Sequence, residues 1–231
     1  MFTRGVSIAA ALAAWVHCAH AARPFVTDDA RIVDTGGCQI ESFVKHQRRY
    51  QEDEVWFLPA CSPVGRVELT LGGIQTDNAN EGTSSSAIAQ GKVLLRELRK
   101  NDFGLALTLG GALLNTIDPA LARGWSPYVN VIGSLSVLDD AAIVHANAGS
   151  IRDRVMSRTR TTWGLGAEIA LTSWLFAIVE DYGQEAERPS RQVGLRFWVV
   201  PNRFQIDCTL GSQPGEPDSR SWTSVGIRAL F

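Results

Sequence analysis

The segment His145-Ala-Asn147-Ala-Gly-Ser150 holds the residue types best suited to nucleophilic chemistry in this 231-residue chain. In an extended strand His145 and Asn147 share one face, and Ser150 falls on the other, next to a connection. A hydroxyl nucleophile needs a base within hydrogen-bond reach, and this spacing sets up none. A polar network containing His145 and Asn147 accounts better for the pair. His20 and His46, the latter in the mixed-charge run "KHQRRYQEDE", offer no metal-ligand spacing with it. The residues therefore argue against an enzyme, a metal centre or a cofactor.

A second set of polar groups recurs singly along the chain: Arg66, Glu68, Gln90, Lys92, Glu168, Arg196, Asp207 and Arg228, together with His145 and Asn147. Each is flanked by apolar residues at period two. Leu69 and Leu71 stand beside Glu68, Val93 and Leu95 beside Lys92, Ile169 beside Glu168, Leu195 and Phe197 beside Arg196, and Ile206 and Cys208 beside Asp207. Charges in mid-strand on one face suit a wet lumen. There they can select solutes by sign and size, or pair across strands and fill the bore. Arg196, Asp207 and Arg228 lie on three consecutive strands, which favours pairing.

The elements that must position these groups are about twelve alternating segments from Cys38 onward. Period two over roughly ten residues marks a strand with one apolar face, long enough to cross a bilayer at a tilt. Short connections are expected near 60–65, 98–102, 138–140, 171–173 and 201–203. Longer polar ones are expected near 45–54, 75–84, 115–125, 150–159, 181–190 and 211–220. Short turns at one end and long loops at the other match the plan of a transmembrane barrel, and closure would satisfy every sheet edge. A soluble β-sandwich alternates too, but it has less reason to carry mid-strand charges and ten-residue strands.

The leader "MFTRGVSIAAALAAWVHCAHA" has a basic Arg4, an apolar run from Val6 to Val16 and an Ala19-His20-Ala21 cleavage site. It reads as an export signal spanning 1–21. Removing Arg4 leaves 21 basic against 24 acidic residues, a net charge of about −3 that does not suggest a nucleic-acid binder. Residues 22–37 form a polar lead-in, and 38–231 the barrel. Asp28 and Asp29 could insert and pair with the lumenal arginines as a small plug.

Of the four cysteines, Cys18 leaves with the signal. Cys38 opens the first strand and Cys61 closes the second, so an up-down hairpin sets them side by side. A Cys38–Cys61 disulfide is expected in an oxidising compartment. Cys208 falls on the apolar face as a free thiol. Trp125 and Trp174 flank turns and suit an interfacial girdle, whereas Trp163 and Trp198 are placed toward the lumen.

"TSVGIRALF" puts Val225, Ile227, Ala229 and Phe231 on one face, with Phe231 at the end. An alternating last strand ending in Phe resembles the C-terminal signal that the barrel-assembly machinery reads in bacterial outer-membrane proteins. "RPFVTDDARIVDTGGCQIE", "VHANAG" and "QVGLRFWVVPNRFQIDCTLG" are similar to segments of the outer-membrane family labelled "putative MetA-pathway of phenol degradation". That resemblance implies a barrel of about twelve strands and a role in passing small, aromatic-related molecules; it carries over no catalytic residue.

The sequence thus predicts a monomeric, all-β, antiparallel barrel in the bacterial outer membrane, acting as a passive channel or uptake porin. Its partners would be outer-membrane lipid, the assembly machinery and a small-molecule solute, with no nucleic acid. A closed barrel acting through its extracellular loops is the second reading, and a membrane hydrolase the third.

Overall fold

The computed structural model describes residues 26–48, 51–80, 82–115, 124–153, 157–215 and 220–231. The expected signal segment 1–21 lies outside the described residues. The expected strands form as β1 (Cys38–Gln47), β2 (Glu52–Val64), β3 (Val67–Asn78), β4 (Gly82–Arg96), β5 (Phe103–Asn115), β6 (Trp125–Val137), β7 (Ala142–Asp153), β8 (Arg158–Ala170), β9 (Leu175–Gln184), β10 (Ser190–Val200), β11 (Phe204–Gln213) and β12 (Arg220–Leu230). Each pairs antiparallel with its sequence neighbours, and β1 pairs with β12 to close the barrel. The closing register runs from Gln39↔Leu230 to Gln47↔Trp222. Phe231 continues it: Cys38 N–H donates to the Phe231 carbonyl at 2.7 Å, and Phe231 N–H donates back at 2.9 Å.

Alternation decides which way each strand faces. Leu71, Leu109, Val131, Leu165, Val193 and Val225 are exposed on the outside, whereas Glu68, Lys92, Thr108, Asn130, His145, Glu168, Arg196 and Asp207 are buried inside. This inverts a soluble sandwich, whose apolar face points inward. Trp125 and Trp174 stand exposed near strand ends. Trp163 shares the outward parity of Leu165 and is exposed, so it does not reach the lumen as expected. Trp198 shares the inward parity of Arg196 and is half-buried at the end of β10.

We call the end carrying Cys38 and Phe231 the near rim. The turns there are short, and three of the near-rim hairpins are bulged, at Cys61/Val64, Leu94/Arg96 and Trp198/Val200. Bulges at a barrel rim bend a strand and end its pairing. Arg66, expected in the lumen, sits in the β2–β3 turn with a φ of 70° and is exposed. At the far rim several segments expected as loop are strand, 45–47, 52–54, 75–78 and 82–84 among them, whereas 185–189 connects β9 to β10 as expected and 116–123 and 216–219 lie outside the described residues. Lys45 pairs with Glu54 at 2.9 Å and His46 with Asp53 at 2.8 Å, and Asp77 accepts from the Thr83 hydroxyl. Cross-strand polar pairs hold the ladder together there without an apolar face, which the sequence pattern alone reads as loop.

Cys38 and Cys61 face each other in the β1–β2 register and are bonded, with Cα atoms 4.0 Å apart. Cys208 is free and exposed. Replacing both bonded cysteines with serine is expected to cost about 2–4 kcal/mol of stability by releasing a constraint on the unfolded chain. The urea midpoint of the folded barrel should fall accordingly, and an unchanged midpoint would remove that role.

Candidate functional site: an occupied bore

The lead-in does not hang outside the barrel. Residues 26–33 run up the inside as an irregular strap, with Thr27, Asp28, Asp29, Ala30 and Val33 all buried. The strap leaves at the near rim through a tight turn. Gly36 takes a φ of 84°, a left-handed conformation that favours glycine. Its N–H donates to the Ser62 carbonyl at 2.7 Å, and Ser62 N–H donates to Gly37 at 3.0 Å. This turn lies one residue from Cys61, so the disulfide fixes the base of the strap.

Above the turn the strap has an apolar side and a polar side. Ala30 is fully buried against Leu94, Ala106 and Ile132, with Ile32 packed alongside. The polar side faces charges. Lys92 Nζ donates to Asp28 Oδ1 at 2.6 Å, to the Asp29 carbonyl at 3.0 Å and to the Arg31 carbonyl at 3.2 Å. An ammonium has three donors, so the strap takes all of them. Arg31 Nη2 reaches Asp29 at 2.8 Å and Glu168 Oε1 at 2.7 Å, while the other oxygen of Glu168 accepts from Arg196. A ladder of alternating charge thus crosses the bore from strap to wall: Asp29, Arg31, Glu168, Arg196.

Other wall groups meet the strap main chain. Glu180 accepts from the N–H groups of Val26, at 3.0 Å, and Thr27. Ser134 Oγ accepts from Ala30 N–H at 2.9 Å and lies 2.8 Å from His145 Nδ1. Glu68 accepts from Val33 N–H at 3.0 Å. The Asn147 amide, oriented by its hydrogen-bond partners, donates to the Asp28 carbonyl at 3.0 Å and accepts from Asp28 N–H. Gly164 makes room for Thr27, whose hydroxyl stands where a Cβ would lie.

The charges expected to line the lumen divide as follows. Glu68, Lys92, Asn147 and Glu168 touch the strap directly, and His145 reaches it through Ser134. Gln90 accepts from the Tyr128 hydroxyl at 2.8 Å, off the strap. Arg228 turns to the closing seam, donating to Gln39 at 2.7 Å and standing 3.3 Å from Glu41. Asp207 is buried as the register neighbour of Arg196. The strap aspartates were expected to meet the lumenal arginines of β10 and β12. Asp28 instead pairs with Lys92, and Asp29 with Arg31 of its own segment. Lys92 on β4 lies within hydrogen-bond reach of Asp28, and the Arg31 main-chain N–H and guanidinium both donate to the Asp29 carboxylate.

Sequence reasoning missed Glu180 and Ser134. Both have inward parity, which was the only available signal, and β9 reads as a mixed strand. It also missed the aromatic content toward the far rim. Phe43 stacks on Trp56 at 4.9 Å, and Trp56 Nε1 donates to Glu54 at 2.8 Å. Lys45 lies 5.4 Å above Trp222, which is itself buried. Ser134, His145 and Glu168 invite comparison with a hydrolytic triad. Ser134 already accepts from the strap, the His145–Glu168 separation is 4.0 Å, and His145 is fully buried, so the arrangement works as a latch. Among the described residues no group of three or more His, Cys, Asp or Glu is arranged to hold a metal ion.

A family model matches residues 9–231, nearly the whole chain. The chain belongs to the family described as "uncharacterised conserved protein UCP029691". No curated protein matches it. Among solved structures it is similar to the KdgM porin, at 10% identity and a TM-score of 0.59, over 84% of this chain and 99% of that one. A second structure, of the KdgM porin in complex with disordered oligogalacturonate, gives a TM-score of 0.61 at 10% identity over the same shares. The COG4313 outer membrane channel from Pseudomonas putida F1 matches at 13% identity and a TM-score of 0.57, over 88% of this chain and 98% of that one. At such identities the likeness carries the fold: this member of the family has the architecture of a small outer-membrane barrel.

Proposed function

We propose that the chain is a monomeric outer-membrane channel for small solutes, closed at rest by its own residues 26–33. The observation that carries this reading is the radial inversion of polarity. A closed sheet with an apolar outside and a charged inside is stable in lipid and unstable in water. The likeness in fold to a porin and to an outer-membrane channel supports it. So does the export signal read from residues 1–21. Phe231 at the near rim is then the residue presented to the barrel-assembly machinery.

A twelve-stranded bore lies between the filled barrels of about eight strands and the open channels of about sixteen, and the strap tips this one toward filled. The stacked Phe43 and Trp56, with Trp222 nearby, give the far half flat apolar faces beside carboxylates and amides. Aromatic solutes of modest polarity suit that lining, in keeping with the resemblance to the phenol-degradation family.

The test is conductance. Purified full-length protein in a planar bilayer should give brief, infrequent openings, and uptake of aromatic acids should fall in cells lacking it. A bilayer that stays sealed even when the strap is loosened would favour the closed structural barrel.

Membrane insertion has its own prediction. Val131 sits mid-strand on the outer face, and Val131→Arg is expected to cost about 2–4 kcal/mol, as a charge facing lipid near the midplane does. Urea unfolding in lipid vesicles measures it, and an effect near zero would mean that this face does not meet lipid.

A further inference from the structure

The bore spends most of its contacts with the strap on main chain rather than on side chains. Glu180 of β9 takes the N–H groups of Val26 and Thr27, Asn147 of β7 takes both amide groups of Asp28, and Ser134 of β6 takes the N–H of Ala30. Lys92 of β4 takes the carbonyls of Asp29 and Arg31, and Glu68 of β3 takes the N–H of Val33. These wall residues come from strands spread round the barrel and converge on consecutive peptide units. Phenols and sugars lack the alternating N–H and C=O groups that this array matches. Side-chain positions add a coarse order. Gly164 leaves space for a small residue at position 27, and Lys92 takes an acid at 28. The Leu94–Ala106–Ile132 cluster admits a small apolar residue at 30, and Glu168 takes a base at 31.

We propose that this groove is a peptide receptor. Its ligand is a segment with the order small, acidic, any residue, small, basic, held in the irregular conformation of the strap and recognised through its main chain, and residues 26–33 are its resident occupant. A free peptide of that order binds in trans whenever the strap is out. The strap is then a tethered competitor, whose advantage is effective concentration rather than different contacts. This goes beyond the channel reading and does not depend on conductance.

The test uses the full chain with a change confined to the strap. Ala30→Pro removes the N–H that Ser134 accepts and leaves every wall residue intact. Tryptic cleavage after Arg31 reports that the strap has left. A fluorescent peptide of sequence VTDDARIVD is titrated into detergent-solubilised protein and followed by anisotropy. Ala30→Pro should bind it about ten-fold or more tightly than the wild type, whose own strap competes. The same peptide N-methylated at its Thr and Ala positions should bind about ten-fold or more weakly, having lost N–H groups donated to a carboxylate and a hydroxyl. Equal binding of plain and methylated peptides would overturn main-chain recognition. No binding to a protein whose strap is cut at Arg31 would overturn the receptor. If Ala30→Pro does not accumulate as a heat-modifiable barrel, Asp28→Ala takes its place with the same two outcomes. Conductance plays no part in this readout, so its result stands whether or not the barrel proves to be a channel.

Discussion

Replacing Lys92 with alanine is expected to raise the open probability of the barrel in a planar bilayer by about 10²- to 10³-fold. The side chain gives all three donors to the strap, at Asp28 Oδ1 and the carbonyls of Asp29 and Arg31. Its loss leaves the Asp28 carboxylate buried without its ion-pair partner. Removing one member of a buried pair costs about 3–5 kcal/mol, and each 1.4 kcal/mol shifts a two-state ratio about ten-fold. That cost falls on the seated state alone, because an unseated strap is hydrated either way. Arg31 should become a tryptic site in the same variant. Lys92→Arg, which keeps the charge with a different donor geometry, should fall between the two. A Lys92→Ala protein that is silent in the bilayer and uncut at Arg31 would show that this lysine does not hold the strap.

Glu168→Gln is expected to destabilise the bore about as strongly as the loss of Lys92. Glu168 holds Arg31 of the strap on one oxygen and Arg196 of β10 on the other, with the His145 ring beside it. The amide keeps the shape and removes the charge between two guanidinium groups. The expected loss is about 3–5 kcal/mol, divided between the strap and the wall. The double variant Glu168→Leu with Arg196→Met should lose less than the two single effects added together, because it removes both wall charges at once and leaves neither uncompensated. Urea titrations of the wild type, the two single variants and the double variant form the cycle that decides this. Strict additivity would mean that Glu168 and Arg196 do not act as a pair.

Both predictions follow from one physical circumstance. A narrow barrel with a charged inner face must satisfy buried polar groups on all sides. The strap supplies N–H groups to Glu180, Ser134 and Glu68, and a carboxylate and carbonyls to Lys92. Lys92, Asp28, Glu168 and Arg196 are buried where the strap lies, and charges attract one another more strongly there than in bulk water. Movement of the strap would admit water and weaken these attractions together. A gate built this way should therefore open cooperatively.

The sequence alone determined the barrel, its strand order and the Cys38–Cys61 bond. These depend on nearest-neighbour information: period-two alternation assigns faces, and successive hairpins in an up-down sheet fix which strand ends meet. It also placed Glu68, Lys92, His145, Glu168, Arg196 and Asp207 on the inner face, since parity is a local property. It misplaced Arg66, because a turn begins where the pattern still alternates, and it misread the far-rim strand ends as loops, because polar cross-strand pairs leave no hydrophobic signature. The partners of the inner residues were beyond its reach. Asp28 meets Lys92 across a sequence separation of 64 residues, and Arg31 meets Glu168 across 137. Such contacts depend on where an irregular segment lies inside a closed wall, and an irregular segment has no periodicity to read. Only the tertiary structure could decide that the lead-in occupies the bore, because its position is set by convergent hydrogen bonds from strands that are neighbours in space and distant in the chain.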